Sequence, residues 1–98
     1  MTIYHIVTAT DWAAAAHADS YQAAGFAVEG FIHLSTAAQV AGVLERYYAG
    51  VTDLRLLHID TDLLIADLKW EPATNQELFP HLYGPLNKNA IQKVEILP

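Results

Sequence analysis

The chain has 98 residues, of which 53% are hydrophobic and 16% are charged. This size and apolar content predict a single folded domain spanning residues 1–98 and exclude a disordered chain. The formal net charge is −6 with only five Lys and Arg residues, which argues against binding of DNA through phosphate neutralisation and against binding to an anionic membrane surface.

The first 30 residues predict one strand followed by one helix. Residues 3–7 are rich in β-branched and aromatic side chains, which is typical of a strand. Thr8 or Thr10 can cap a helix that begins near Asp11, an acidic residue well placed against the helix dipole. Residues 21–30 give no clear signal, although their glycines indicate turns.

A second strand and helix follow. Residues 31–34 predict the strand, and Ser35 or Thr36 caps the helix, with Thr36 and Gln39 at capping-box spacing. Gly50 ends this helix. Apolar side chains recur along it at helical spacing, namely Val40, Val43, Leu44 and Tyr47.

The second half of the chain is dominated by strands. We predict them at residues 54–59, 68–71, 82–83 and 91–96. Helices therefore come early and strands late, which indicates an α+β fold with two N-terminal helices packed on antiparallel or mixed sheets.

Two short segments, residues 30–36 and 79–86, each place a histidine among apolar and aromatic residues. Burying an imidazole is costly unless it finds a hydrogen-bonding partner. Residues two apart in a strand share a face, so His33 and Ser35 point to the same side. Ser35 and Thr36 also lie at a strand-to-helix junction, where the free N–H groups of the helix start favour an anion. We therefore predict a ligand pocket formed by His5, His33, Ser35, Thr36, His81 and Tyr83.

Less specific explanations stay open for the same residues. Each histidine can be a hydrogen-bonded core residue, and Ser35 can serve only as a helix cap. Glu71 follows Trp70 at a predicted strand end; if buried, its carboxyl could act as an acid or base. A glutamate before a proline can equally be an exposed strand end.

Other functional signatures are missing from the sequence. It contains no glycine-rich phosphate loop, nucleophile elbow or zinc-helix motif, and the spacing of His5, His33 and His81 gives no support for a metal site. Cysteine is absent, and the N-terminus lacks the pattern of a signal peptide. We therefore expect a cytoplasmic protein without disulfides.

Several motifs together resemble the bacterial family known as domain of unknown function 952, over essentially the whole chain. They are Tyr4-His5-Ile6, Trp12, Gly30-Phe31-Ile32-His33-Leu34-Ser35 with Gln39, Trp70-Glu71-Pro72, and Phe79-Pro80-His81-Leu82-Tyr83-Gly84-Pro85-Leu86.

That family resembles, more distantly, the ADP-ribosyltransferase fold group, and the resemblance implies a minimal version of that fold with NAD as a candidate ligand. It places His5 at the ribose-binding position of the first strand and Ser35, with His33, near the second position. His81 stands where the catalytic Glu is expected, and a neutral imidazole supplies no negative charge to stabilise a developing cation. Glu71 is the candidate substitute, so His81 and Glu71 are the candidate catalytic residues.

Two functions follow as hypotheses. The first is a small or degenerate enzyme that binds NAD or a related phosphorylated nucleotide in a histidine-lined cleft; if catalytic, it is a transferase of the ADP-ribosyl or phosphotransferase type. The second is a non-catalytic module that binds a small ligand, or an interaction domain whose histidines are structural.

Overall fold

The computed structural model of the protein describes residues 1–23 and 25–98, which form three α-helices and eight strands. The strands are β1 (Thr2–Thr8), β2 (Ser20–Tyr21), β3 (Ile32–His33), β4 (Leu54–Asp60), β5 (Asp67–Pro72), β6 (Leu78–Tyr83), β7 (Leu86–Asn87) and β8 (Ile91–Ile96). The helices are α1 (Ala9–Ala14), α2 (Phe26–Glu29) and α3 (Ala37–Tyr47), and short 3-10 helices cover Thr61–Leu63, Thr74–Gln76 and Lys88–Ala90.

The sequence predicted two helices, but the structure has three; the helix that was not predicted is α2. This helix is a single turn between Gly25 and Gly30, too short to show an apolar period. Gly30 has a φ of 83°, the left-handed conformation that glycine adopts at helix ends. Helix α1 begins after the predicted cap Thr8, whose hydroxyl accepts a hydrogen bond from the Asp11 N–H at 3.1 Å.

The strands form three antiparallel sheets within the described residues. The first sheet has the order β1-β4-β8, the second has the order β3-β6-β5, and β2 pairs with β7. Of the antiparallel and mixed alternatives that the sequence left open, the structure therefore has the antiparallel one.

Both faces of the first sheet are covered along β1 and β4, whereas β8 at the edge is largely exposed. Ile3 and Val7 of β1 face the main core, where they pack with Leu57 and Ile59 of β4. The opposite face carries Ile6, against which Val40, Val43 and Leu44 of α3 pack. Tyr47, the fourth member of the predicted apolar stripe, is 61% exposed instead. A strand buried on both sides reads as a nearly continuous apolar run, and this explains the buried sequence from His5 to Val7.

A single bridge joins the first and second sheets. Tyr4 and Ser35 exchange two backbone hydrogen bonds of 2.8 Å each. Within the described residues, no further ladder pairs β1 with β3, so the two sheets separate beyond the bridge. The candidate site lies at this separation.

No helix among the described residues is long and apolar enough to cross a membrane.

Candidate functional site

A cavity of about 500 Å³ lies where β1 and β3 separate, and we call it the central cavity. Its wall combines residues from both sheets with side chains of α1 and α3. The polar and aromatic members of the wall are His5, Thr8, Asp11, Tyr21, His33, Ser35, Tyr47, Tyr48 and Phe79. Ligand pockets typically range from about 300 to 1,000 Å³, so the central cavity can take a small organic molecule.

His5 is fixed in one orientation and one tautomer. Its Nδ1 lies 2.8 Å from the backbone oxygen of His33. Because a carbonyl oxygen only accepts, Nδ1 carries the proton and donates it. The Nε2 atom therefore accepts from the Tyr21 hydroxyl at 3.2 Å. Burial lowers the pKa of His5 to about 4, against the opposing effect of the bond to His33, so the ring is neutral at pH 7.

Tyr21 and Tyr48 of the wall are also neutral at pH 7, and the described wall carries a carboxylate but no cationic side chain. Burial, together with the nearby charge of Asp11, raises the pKa of Tyr21 to about 12 and also raises the pKa of Tyr48. Among the described residues that line the cavity, none is a Lys or Arg. A buried phosphate would therefore find no cationic partner there.

His33 lies between the central cavity and a second group of polar and aromatic side chains. It lines the cavity, and its Nε2 is 2.9 Å from Oε2 of Glu29 on α2. The two side chains are 57% and 43% exposed, and exposed pairs of this kind contribute only about 0–1 kcal/mol. The contact with Glu29 therefore contributes little to holding the His33 side chain in position.

The second group, which we call the His81 cluster, lies on the face of the second sheet that His33 shares. Its members are Phe31, Glu71, His81 and Tyr83. His33 and His81 are directly opposite in the pairing of β3 with β6, and their ring centroids are 5.2 Å apart. The Phe31 ring stacks on His81 with centroids 4.3 Å apart and an interplanar angle of 23°.

Glu71 is the polar centre of the His81 cluster. Its Oε1 lies 2.9 Å from Nδ1 of His81 and accepts a hydrogen bond from the Tyr83 hydroxyl at 2.6 Å. These bonds, that from Tyr83 foremost, hold the pKa of the Glu71 carboxyl below its usual value, although partial burial opposes them. The bond to Glu71 in turn raises the pKa of Tyr83. At pH 7 the carboxylate is charged and the phenol is not.

The predicted site residues therefore divide into two neighbouring groups. His5, His33 and Ser35 line the central cavity, whereas His81, Glu71 and Tyr83 form the His81 cluster on the other side of His33. Their roles in binding or catalysis stay predictions.

Thr36 lies at the start of α3. Its N–H donates to Oε1 of Gln39 at 2.9 Å, the backbone half of the predicted capping box. Its predicted role in ligand binding also stays a prediction.

The residues described here show no group of three His, Asp or Glu side chains that could hold a metal ion. In particular, both ring nitrogens of His5 already have protein partners. A zinc site formed by His5, His33 and His81 is therefore not supported.

Sequence reasoning did not identify several residues of the cavity wall, among them Tyr21, Asp11 and Tyr48. Tyr21 lies in a two-residue strand that carries no local strand signal, and Asp11 was identified only as a helix-start residue. Tyr48 lies just beyond the end of α3; it is half-buried, and its hydroxyl lies 3.5 Å from the Ile6 carbonyl.

Comparison with known proteins identifies relatives of the whole fold. The family described as Protein of unknown function (DUF952) matches residues 6–94. The crystal structure of protein CC0527 from Caulobacter crescentus is similar, with 32% identity and a TM-score of 0.91, covering 100% of this chain and 87% of that one. Its solution NMR structure gives 33% identity, a TM-score of 0.83, and coverage of 98% and 84%. Both are structural genomics targets. No curated protein matches the chain.

Proposed function

The chain belongs to the family Protein of unknown function (DUF952), and we propose that it binds a nucleotide by a planar, positively charged ring, such as the nicotinamide ring of NAD, in the central cavity. The observation that carries this proposal is the composition of the cavity wall. Four aromatic side chains and one carboxylate surround a space of about 500 Å³.

The charge of the wall favours a cation over an anion. Asp11 is the acidic residue of the wall, and His5 stays neutral because its pKa is lowered to about 4. A cationic ring gains attraction from a nearby carboxylate and from the faces of tyrosine rings. The diphosphate of a dinucleotide would meet no Lys or Arg in the described wall, so it would remain in water at the cavity mouth.

The resemblance to ADP-ribosyltransferases agrees with this mode of binding. His5 of β1 and Ser35 beside β3 lie on segments joined by the Tyr4–Ser35 bridge, and both line the cavity. The transfer reaction itself is not part of the proposal. It needs a carboxylate at the bound ribose, and the candidate Glu71 is instead hydrogen-bonded within the His81 cluster.

A set of related ligands tests the proposal. We would follow the ring signals of the histidines by NMR during titration with N-methylnicotinamide, a cation, and with nicotinamide, its neutral analogue. NAD and ADP-ribose complete the set. The cation is expected to shift His5 and His33 and to bind about 3–10 times more tightly than nicotinamide. His17 and His58, which are not part of the cavity wall, serve as references. Unchanged His5 and His33 signals with every ligand would overturn the proposal.

Two matched variants locate the binding. Val43 lines the cavity, whereas Ala41 on the same helix is exposed. Val43→Trp is expected to abolish binding by filling the cavity, and Ala41→Trp is expected to leave the affinity unchanged. Equal loss of binding in both variants would place the ligand elsewhere.

A third variant tests the charge argument. Asp11→Asn is expected to remove the preference for N-methylnicotinamide over nicotinamide, because it removes the carboxylate from the wall. A preference that survives this substitution would contradict the electrostatic part of the proposal.

A further inference from the structure

His81 contains an unsatisfied nitrogen in a place where burial makes it costly. Its side chain is 6% exposed, and Nε2 is the one buried side-chain polar atom without a hydrogen-bond partner in the described part of the chain. Leaving such an atom unpaired destabilises the folded state. An apolar side chain at this position would avoid that cost, so the unpaired nitrogen needs an explanation beyond packing.

The tautomer of His81 makes this nitrogen an acceptor. Because the Glu71 carboxylate only accepts hydrogen bonds, Nδ1 of His81 carries the proton and donates it at 2.9 Å. In this tautomer the lone pair of the ring lies on Nε2. An imidazole oriented by a carboxylate on one nitrogen, with the other nitrogen free, is the arrangement of a general base.

The other His–Glu pairs of the described residues use the other ring nitrogen. His33 and His58 both meet their glutamates, Glu29 and Glu95, through Nε2. His5 has both ring nitrogens occupied. His81 differs from His33 and His58 in burial: its side chain is 6% exposed, against 57% and 22% for theirs, so only its unpaired nitrogen is shut off from water.

The cover over His81 is thin. The Phe31 ring stacks on it and is itself partly exposed. His33, whose side chain is 57% exposed, stands at its edge. Phe31 directly follows Gly30, which ends α2 in the left-handed conformation. Rotation of the Phe31 side chain would expose one face of the imidazole without disturbing the buried opposite face of the sheet.

We propose that His81 is the proton-accepting centre of a second site, opened when Phe31 turns aside, whose ligand presents a hydroxyl group. The proton moves from the hydroxyl oxygen to Nε2, and the electron pair of the broken O–H bond stays on that oxygen. The imidazolium so formed is stabilised by the charged Glu71, which acts as a positioning residue together with Tyr83. This site does not depend on the nucleotide proposed for the central cavity.

Acylation by diethyl pyrocarbonate tests the site, because this reagent reacts with the free lone pair of a neutral imidazole. Peptide mass spectrometry would give the rate at each histidine, with the exposed His17 as reference. Phe31→Ala is expected to accelerate reaction at His81 at least tenfold relative to His17. Phe31→Leu, which preserves more packing, should give a smaller acceleration. An unchanged rate at His81 in both variants would overturn the proposal.

The role of Glu71 has its own readout. In the wild type, ¹⁵N NMR is expected to show a protonated Nδ1 and a lone pair on Nε2 of His81. Glu71→Gln should reduce the population of that tautomer and, combined with Phe31→Ala, slow the acylation severalfold. A wild-type ring that carries its proton on Nε2 alone, or a double variant that reacts as fast as Phe31→Ala, would contradict the proposed site.

Discussion

His5 is expected to make the fold sensitive to mild acid. Its folded-state pKa is about 4 and its ordinary value is 6.5. Between these values the unfolded chain binds a proton that the native state does not bind. The stabilisation is therefore complete above pH 6.5 and is lost as the pH falls towards 4.

The size of the effect follows from the two pKa values. Relative to pH 7.5, linkage predicts a loss of about 2 kcal/mol at pH 5 and about 3 kcal/mol at pH 4 from His5 alone. Burial dominates the shift, so salt should change it little. Typical domains of this size have only about 5–15 kcal/mol of stability, and the loss should be readily measured.

The assay is urea unfolding at a series of pH values, compared with the variant His5→Asn. Asparagine keeps a donor for the His33 carbonyl but cannot titrate. The difference in unfolding free energy between wild type and variant should therefore shrink by about 2 kcal/mol from pH 7.5 to pH 5. A constant difference, or a His5 NMR signal that titrates near its ordinary value, would refute the account of this residue.

Two further substitutions test local features by thermal or urea unfolding. A Cβ added at Gly84 would lie 2.6 Å from the Cβ of Ala66, whereas no atom lies within 4 Å of one added at Gly50. Gly84→Ala should therefore be about 1–3 kcal/mol more destabilising than Gly50→Ala. Equal losses of stability in the two variants would contradict this. The buried Gln39 donates a hydrogen bond to the Leu78 carbonyl at 2.8 Å. Gln39→Leu should lower the free energy of unfolding by about 1–3 kcal/mol, whereas Gln92→Leu at an exposed position should change it by no more than about 0.5 kcal/mol. Similar losses in the two variants would argue against a structural role for the Gln39 amide.

The long elements could be predicted from local sequence. Strands β1, β4 and β8 have at least six residues each with strong strand character, and α3 has both a capping signal and an apolar stripe. These signals lie within each segment, so they can be identified without knowing the tertiary contacts of that segment.

The short elements could not be predicted in this way. Strands β2 and β7 have two residues each and exist because they pair with each other across more than 60 positions of sequence. Strand β6 begins at Leu78, well before the predicted start at residue 82. The earlier start was not predicted because Pro80 lies within this part of the strand. A proline without an N–H is more typical of edge strands and loops, and here the pairing of β6 on both sides overrides that preference.

The candidate site was predictable only as a set of residues. Alternation along the predicted strands singled out His5, His33 and Ser35, and these three residues line the central cavity. His81 and Glu71 lie on the other side of His33, away from the central cavity. Their contact with each other runs diagonally between β5 and β6. Such tertiary contacts leave no periodic trace in the sequence.

The most direct test of nucleotide binding is the detection of intermolecular nuclear Overhauser effects from the ring protons of N-methylnicotinamide. The account predicts contacts to the aromatic protons of Tyr21, Tyr48 and Phe79, which line the central cavity. Contacts confined to Trp70, an exposed residue outside that wall, or to no aromatic residue at all would contradict it.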